Sequence, residues 1–563
     1  MEPTLLVFAI IIISATIMTY IFTKLKQPSV LAFILTGIII GPMVLGLVTN
    51  TEDIKILSEI GIAFLLFSIG LGTDIKELKK LKLPIILLPI LNVVFTFLVF
   101  LAIGPLLQID FIQTLYVAFI LSFSSTMLVA KILLDKFEIN SLEGKIAIGI
   151  LLVEDFVAVL AIPILKNAGA ITFSIVLGVL LKTAAMVILA IFLNKIFYPY
   201  VIKNAYKSEQ SFFLLSVASC FLFIFLSDLM DFPIAAGAFF GGLAVSVYPY
   251  NFEISSKISS IRDFLVTIIF VSLGMQMSFD FSSNLLLLVL LLVFVFLIKP
   301  TVYFFTVLVS GYGTKVSTTV GIYLAQISEF SLILAMQGIA LGHLTNSQYS
   351  AIIIATSLSM LITPYFMKYH HQIYGFLKPL VSRLDKNAKF RKNIDELNNV
   401  PKDIENHVII VGSDVVSDGI IKFLGKEVYN PIILVDFNPD KIKKVNTKVN
   451  YICGDINYEE VINSINIKKA KLAVITVPKF KTTAQFIKQA KKQNPKLIIY
   501  VRAHTNEEAY KLYLLGADLV ILPHVLESNY LLDKVYSLLK EGPDDSKALR
   551  SQYLNYLKKE LQH

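Results

Sequence analysis

The sequence predicts a polytopic α-helical membrane bundle followed by a soluble α/β domain built on a doubly wound parallel sheet. Three observations carry that reading. Hydrophobic residues make up 56% of the 563-residue chain and charged residues only 16%, with a mean hydropathy of +0.72. That balance lies far from a soluble globular chain. The charges are also unevenly placed: long apolar runs fill the chain up to about residue 370, and Lys, Asp, Glu and Asn become frequent after it. From His407 onward, short β-type runs alternate with amphipathic stretches. A parallel sheet with crossover helices reads this way.

Thirteen apolar stretches are candidate spans, at about 4–23, 30–48, 54–72, 83–105, 111–131, 144–166, 171–198, 211–228, 233–249, 262–277, 284–310, 316–341 and 347–369. A helix needs about 20 residues to cross the hydrocarbon core. The first stretch follows no basic segment and precedes no small-residue cleavage site, so it reads as a retained helix and not a signal peptide. The loops test the count. Those after odd-numbered spans are basic: Lys24 and Lys26, Lys76–Lys82, Lys131–Lys145, Lys195–Lys207, Lys257 and Arg262, then Lys315 and Lys368. Those after even-numbered spans carry Glu52, Asp53, Asp110, Asp228, Asp231 and Asp280, with almost no Lys except Lys166. That alternation follows the positive-inside rule. It predicts an inner-membrane protein with its N-terminus outside and its soluble domain in the cytoplasm.

The loop lysines account for much of the +9 net charge, so nucleic acid is not an expected partner. Cys220 and Cys453 fall in different domains, which excludes a disulfide framework and a CxxC metal site. The domain boundaries expected are 1–370 for the membrane bundle, 371–403 for a polar linker, 404–535 for the α/β domain and 536–563 for a charged helical tail.

An ionisable side chain at the bilayer centre costs about 2.5–3.5 kcal/mol even on lenient insertion scales. Four sit near the middle of their spans. Glu154 and Asp155 lie in ILLVEDFVAVLAIPIL, Lys299 in LLVFVFLIKPTVYFF and Glu329 in YLAQISEFSLIL. Buried ion pairs that merely tie helices together are the alternative reading. Three acids and one base, however, leave a carboxylate uncompensated, which a purely structural core avoids. Neighbouring helical residues point about 100° apart. One of Glu154 and Asp155 should therefore line a cavity while the other faces protein. Pro163 is expected to kink that helix.

Two spans carry polar interruptions, Ser122-Phe123-Ser124-Ser125-Thr126 and Gln326-Ile327-Ser328-Glu329. Hydroxyl residues can bond back within an intact helix. They can also satisfy the backbone where a helix unwinds. Two broken helices in corresponding halves are a sequence pointer to a transport site. With thirteen spans, the fourth to sixth and the eleventh to thirteenth run in opposite senses, an inverted repeat that sets the two breaks opposite each other.

At these residues the sequence resembles the monovalent cation:proton antiporter-2 family, and within it the Kef-type potassium/proton antiporters. The resemblance covers nearly all of residues 1–540. It rests on LTGIIIGP, SEIGIAFLLFSIGL, LSFSSTMLVAKIL, GILLVEDFVAV, AAGAFFGGLAVS, IRDFLVTIIFVSLGMQM and LAQISEFSLILA taken together. It implies an NhaA/NapA-like antiporter fold, a homodimer, and an ion site between two crossed, unwound helices. Asp155 matches the family's ion- and proton-binding aspartate, and Lys299 the basic residue that can pair with it. Ser124, Ser125, Thr126, Gln326, Ser328 and Glu329 fall at the same site. Glu154 departs from the pattern, because Kef-type members usually have Gln there and sodium-type electrogenic relatives Asp. The expected activity is K⁺/H⁺ exchange by competition of cation and proton for Asp155. Na⁺/H⁺ exchange on the same fold is the alternative. No metal beyond the transported cation is expected, and no enzyme activity.

Residues 404–535 resemble an RCK (TrkA-N) domain, a cytosolic Rossmann-like regulator, which implies AMP or NAD as a ligand. Only the first glycine of G-x-G-x-x-G survives, as Gly412, before Ser413-Asp414-Val415-Val416-Ser417. The second glycine normally lets backbone approach a pyrophosphate, and Asp414 stands there instead. Asp436 ends the second strand where an acid would hold a ribose, and Asp455 follows Gly454. A degenerate domain serving dimerisation and gating is the competing reading. His407 starts a buried strand and reads as structural. Two other function classes are weaker. Ser310-Gly311-Tyr312-Gly313 echoes a potassium-channel filter, but no pore helix precedes it. A membrane-anchored NAD enzyme would need an intact fingerprint and a second catalytic domain.

Overall fold

The computed structural model describes residues 3–541 apart from 26, 49–51, 73–82, 108, 137, 171–172, 206–207, 248–250, 277–284, 388, 390–391, 396, 402–403, 428–430, 443–448, 457–458 and 478, together with residue 550. Lys26, Lys76, Lys79, Lys80, Lys82, Lys207, Asp280 and the tail beyond Glu541, apart from Arg550, fall outside the described residues. The chain forms two compact units, Met1–Lys392 and Asn393–His563.

Each of the thirteen apolar stretches contains helix among the described residues, and those at 111–131 and 316–341 are each interrupted. The first unit comprises α1 (Pro3–Lys24), α2 (Ser29–Ile40), α3 (Glu52–Gly72), α4 (Leu83–Leu107), α5 (Phe111–Ser122), α6 (Thr126–Asp135), α7 (Leu142–Lys166), α8 (Phe173–Phe192) and α9 (Tyr198–Ala205). It continues with α10 (Glu209–Leu229), α11 (Ile234–Val245), α12 (Asn251–Met275), α13 (Leu285–Val293), α14 (Lys299–Val309), α15 (Gly313–Tyr323), α16 (Glu329–Ala340), α17 (Asn346–Lys368) and α18 (His370–Val381). Among the described residues, nine helices are long and apolar enough to cross a membrane. Bulky apolar side chains such as Ile13, Leu181 and Ile188 face outward, as lipid contact requires. The chain is an integral membrane protein with a soluble C-terminal unit.

The helices pack as two sets. In one, α2 and α3 lie against α11 and α12. Glycines let these backbones touch: a Cβ at Gly70 would stand 2.0 Å from the Phe239 carbonyl, and one at Gly242 would stand 2.0 Å from the Phe67 carbonyl. The other set repeats one motif. A full-length helix (α4; α13 with α14), a broken helix (α5 and α6; α15 and α16) and a second full-length helix (α7; α17) follow in the same order. Capping boxes start α5 (Asp110 with Gln113) and α17 (Thr345 with Gln348), and Gln348 Nε2 donates to Gln113 Oε1 at 3.0 Å. Between α13 and α14 the π-helical turn Phe294–Ile298 leads into Lys299 and Pro300. A π turn absorbs a residue that cannot donate to the helical ladder. Ser310–Gly313 is the tight turn joining α14 to α15. Gly311 and Gly313 take φ of 87° and 71° there, so the channel-like triplet is a helix-hairpin turn.

The stretch 371–403, expected to be a linker, is not extended throughout. Its first part forms α18, which packs on α15 within the first unit. His370 and Tyr374 are its buried residues, one turn apart on one face. Burial, with the charges of His371, Lys136 and Lys315 close by, pushes the His370 imidazole down to about 3. A histidine held neutral when docked takes up a proton when released. Docking of α18 is therefore complete above the ordinary histidine value and weakens as pH falls below it. Once the intrinsic pH dependence of amide exchange is divided out, protection of the α18 amides should fall as pH drops from 7.5 to 5, and His370→Phe should flatten that dependence.

The second unit is a six-stranded, all-parallel sheet in the order β3-β2-β1-β4-β5-β6. Its strands are β1 (Val408–Val411), β2 (Ile432–Asp436), β3 (Asn450–Cys453), β4 (Leu472–Ile475), β5 (Ile498–Arg502) and β6 (Leu519–Ile521). The short β-type runs that follow His407 in the sequence form these strands. The central β1 and β2 are buried along their whole length, as a sheet covered on both faces requires. The order reverses between β1 and β4, which opens the ligand crevice of a doubly wound fold. The helix α19 (Val415–Glu427) follows β1, and α20 (Pro523–Glu541) follows β6.

Candidate cation site at the crossing of two broken helices

Both polar interruptions unwind. α5 ends at Ser122, and α6 begins at Thr126. α15 ends at Tyr323, and α16 begins at Glu329. The two unwound segments lie across each other. Ser328 N donates to the Phe123 carbonyl (3.1 Å), Ser124 Oγ donates to the Leu324 carbonyl (3.1 Å), and Gln326 Nε2 donates to the Ser125 carbonyl (3.4 Å). Ser359 Oγ on α17 accepts from Ile327 N at 3.0 Å. Backbone groups released from helical bonding are thus satisfied inside the protein, the condition for irregular chain at membrane depth.

Unwinding creates four helix ends at one place, two negative and two positive. Lys299 answers the negative ends. It is fully buried, and its Nζ donates to the Phe123 carbonyl at 2.9 Å and the Gln326 carbonyl at 2.6 Å. The positive ends carry the acids. Glu329 is the first residue of α16, and Thr126, the first residue of α6, donates its Oγ1 to Asp155 at 2.9 and 3.1 Å. Ser125 and Ser328 cap α6 and α16 through their hydroxyls, accepting from Leu128 N and Phe330 N.

The two adjacent acids of α7 part as helical geometry requires. Glu154 is enclosed: Tyr303 Oη donates to its Oε1, and Ser124 N donates to its Oε2 at 2.6 Å. Glu154 is also the carboxylate whose charge acts on Lys299. The resemblance implied that Lys299 could pair with Asp155; here it faces backbone carbonyls and Glu154 instead. The charges that act on Asp155 are those of Glu329 and Glu154. Glu329 Oε2 and, on the same unwound segment's side, Gln326 Oε1 are buried and without a hydrogen-bond partner. Buried acceptors without donors are what a bare cation would coordinate. Sequence reasoning missed two members of the site. Asn92 on α4 donates to the Ser122 carbonyl and to Tyr303 Oη, both at 3.0 Å, and so aims the tyrosine at Glu154. The signals were present: Tyr303 lies one turn beyond Lys299 on the same face, and Asn92 is the lone amide in an apolar run.

A family model described as sodium/hydrogen exchanger, transmembrane, matches residues 11–368. The chain belongs to the sodium/hydrogen exchanger family. A second model, the TrkA-N domain, matches residues 408–523. The antiporter chain is similar to YbaL of Escherichia coli strain K12, named as a cation/proton antiporter, at 25% identity over 531 residues, covering 91% of this chain and 93% of that one. It is similar to KefB of Alkalimonas amylolytica, named as a K⁺ efflux antiporter, at 25% identity over 537 residues, covering 93% and 80%. In structure it resembles the sodium proton antiporter MjNhaP1 from Methanocaldococcus jannaschii, with a TM-score of 0.50 and 16% identity over 65% of this chain and 96% of that one. The protein is a cation:proton antiporter carrying a TrkA-N domain, and it is a transporter and not an enzyme.

The first turn of the TrkA-N domain does not fit a phosphate-cradling nucleotide. Gly412 keeps the left-handed φ of 99° that ends β1. Beyond it, Asp414 caps α19 itself: its Oδ1 accepts from Ser417 N at 2.9 Å, and its own N donates to Ser417 Oγ at 2.6 Å. The chain's own carboxylate thus stands at the helix N-terminus, where a pyrophosphate would sit. Asp436 is also engaged, accepting from Ser413 N (2.6 Å) and Asn438 N (2.7 Å), and burial pushes its carboxyl above the usual range. Arg502 Nη1 lies 3.9 Å from Asp414. Asp455 follows β3 at the same end of the sheet.

Proposed function

We propose that the antiporter exchanges K⁺ for H⁺ at Asp155, with Na⁺ as the competing cation on the same fold. One observation carries this most: a buried Asp155, bonded by the Thr126 hydroxyl, lies in the field of Glu329, whose Oε2 is unpartnered. A carboxylate out of water must be neutralised by a proton or a cation. One group that takes either links the two fluxes. Thr126, Ser125 and Gln326 add neutral oxygens that suit a weakly hydrated monovalent ion, while Ser124 and Ser328 hold the crossing together. Glu154 and Lys299 balance the helix ends. The family name of KefB and the attached TrkA-N domain favour K⁺. Glu154, an extra charge where Kef-type relatives have Gln, favours Na⁺. Purified protein in liposomes with an internal pH dye tests the choice. K⁺ and Rb⁺ should collapse a pH gradient at lower concentration than Na⁺, and the reverse order would assign the protein to sodium.

The basic loops support an inner-membrane orientation with the N-terminus outside and the TrkA-N domain in the cytoplasm. Homodimerisation through that domain is supported by α20, whose Leu526, Leu531, Leu532, Tyr536 and Leu539 are all more than half exposed. The self-capped Asp414 turn supports regulation without a phosphate-cradled nucleotide. NAD⁺, NADH, ADP and AMP should leave the melting temperature of the full-length protein unchanged, whereas Asp414→Gly should create a shift with the dinucleotides. A shift in the unaltered protein would restore NAD as its ligand.

A further inference from the structure

α15 begins without a cap of its own. Its N-cap residue, Tyr312, makes no side-chain capping bond. A helix leaves four N–H groups unsatisfied at its start, and this start is buried, with Thr314 fully so. The missing cap comes from 71 residues downstream, from the 3-10 turn Ser382–Lys386 that follows α18. Asp385 Oδ1 accepts from Thr314 N at 2.9 Å, and its Oδ2 accepts from Thr314 Oγ1 at 2.5 Å. A carboxylate is also the charge that a helix N-terminus favours. The Tyr374 phenol of α18 lies 3.4 Å from the same threonine hydroxyl.

The opposite end of α15 is held by the opposite end of α18. Tyr323, the last residue of α15, meets the His370 ring edge-on with centroids 5.4 Å apart. His370 Nδ1 is bonded to the Met367 carbonyl at 2.8 Å, and Lys136 Nζ donates to that carbonyl as well. The lengths agree: eleven residues in α15 and twelve in α18 give about 16 and 18 Å at 1.5 Å per residue. α18 therefore runs along α15 and grips it at both ends. α15 leads directly into the unwound segment whose Gln326 carbonyl is bonded by Lys299. Asp385 stands eight residues ahead of Asn393, where the second unit begins.

Resting on the antiporter reading, we propose that Asp385 is a positioning residue that clamps the cytoplasmic half of the broken helix to the strand of chain leading to the TrkA-N domain. Tension or slack in that chain then bears on α15 and, through it, on the oxygens of the cation site. Coupling of this kind needs a contiguous physical element that both ends can bias, and α15 with its strap is one.

The test uses the full-length protein and two readouts, hydrogen exchange of residues 313–328 and the K⁺ dependence of exchange in liposomes. Asp385→Ala should speed exchange of the first-turn amides of α15 about five-fold, the usual effect of a lost cap. It should raise the half-saturating K⁺ concentration several-fold with the maximal rate little changed. Asp385→Asn, which keeps an acceptor but no charge, should fall between. Unchanged amide exchange and unchanged half-saturation would overturn the proposal, as would a loss of yield and rate together with half-saturation unmoved. If Asp385→Ala fails to insert, Asp385→Asn and Thr314→Val decide by the same two readouts. If the unaltered protein exchanges no cation for protons, the antiporter reading fails, and hydrogen exchange still decides whether Asp385 holds α15.

Discussion

Asp155→Asn is expected to abolish cation-driven proton movement while the protein still folds and inserts. The amide is nearly the shape of the carboxylate, and its oxygen can accept from the Thr126 hydroxyl as Asp155 does now. What it lacks is the charge. An uncompensated charge at this depth costs about 2.5–3.5 kcal/mol, so losing the carboxylate removes roughly 10²-fold in cation affinity, and no proton is left to exchange. Glu154→Gln on the same helix should behave differently. A glutamine can accept from Ser124 N and still meet Tyr303, so the enclosure survives. Exchange should persist in that variant. Retained K⁺-driven proton movement in Asp155→Asn, or its loss in Glu154→Gln alone, would move the ion site from one acid to the other.

Lys299→Ala should have the second largest effect, and on folding first. The substitution strips the donor from the Phe123 and Gln326 carbonyls, both buried in the unwound segments. It also leaves Glu154 without its cation. Removing one partner from a buried charge arrangement costs about 3–5 kcal/mol, enough to empty the membrane of folded protein. The same physics predicts rescue. Adding Glu154→Gln removes the charge left behind, so the double variant should be more stable than Lys299→Ala alone. A double-mutant cycle on detergent-purified protein reads this coupling. Additive losses would mean that Lys299 acts on the carbonyls only.

Much of this was legible in the sequence because membranes punish exceptions. Glu154, Asp155, Lys299 and Glu329 stood out as charges in apolar runs, and Ser124, Ser125, Thr126, Gln326 and Ser328 as polar breaks. The strands of the TrkA-N domain were equally plain, since β1 and β2 are buried along their length and read as apolar runs of Val, Ile and Leu, closed in β2 by Asp436. The pairing of groups was not legible. Which carboxylate faces Lys299 depends on helix rotation, and 100° per residue leaves both acids of α7 available until packing chooses. Asp385 was hidden for a different reason. It lies in a polar stretch that resembled a linker, and its partner is distant in sequence, so neither periodicity nor hydropathy marks it. Only the N-cap position of α15, held by Tyr312 and not by Ser, Thr, Asp or Asn, hinted that something else must fill the gap.

The crossings of α3 with α11, where Gly70 and Gly242 bring main chain against main chain, carry a consequence for how such a molecule can work. Surfaces that meet without side chains between them have no rotamers to repack and no slack to slide through. That half of the bundle must therefore travel, if it travels at all, as a single plank. Whatever opens the buried acids first to one side of the bilayer and then to the other has to happen along its border with the broken helices. A single added methyl at either glycine would wedge the plank apart long before it touched an ion.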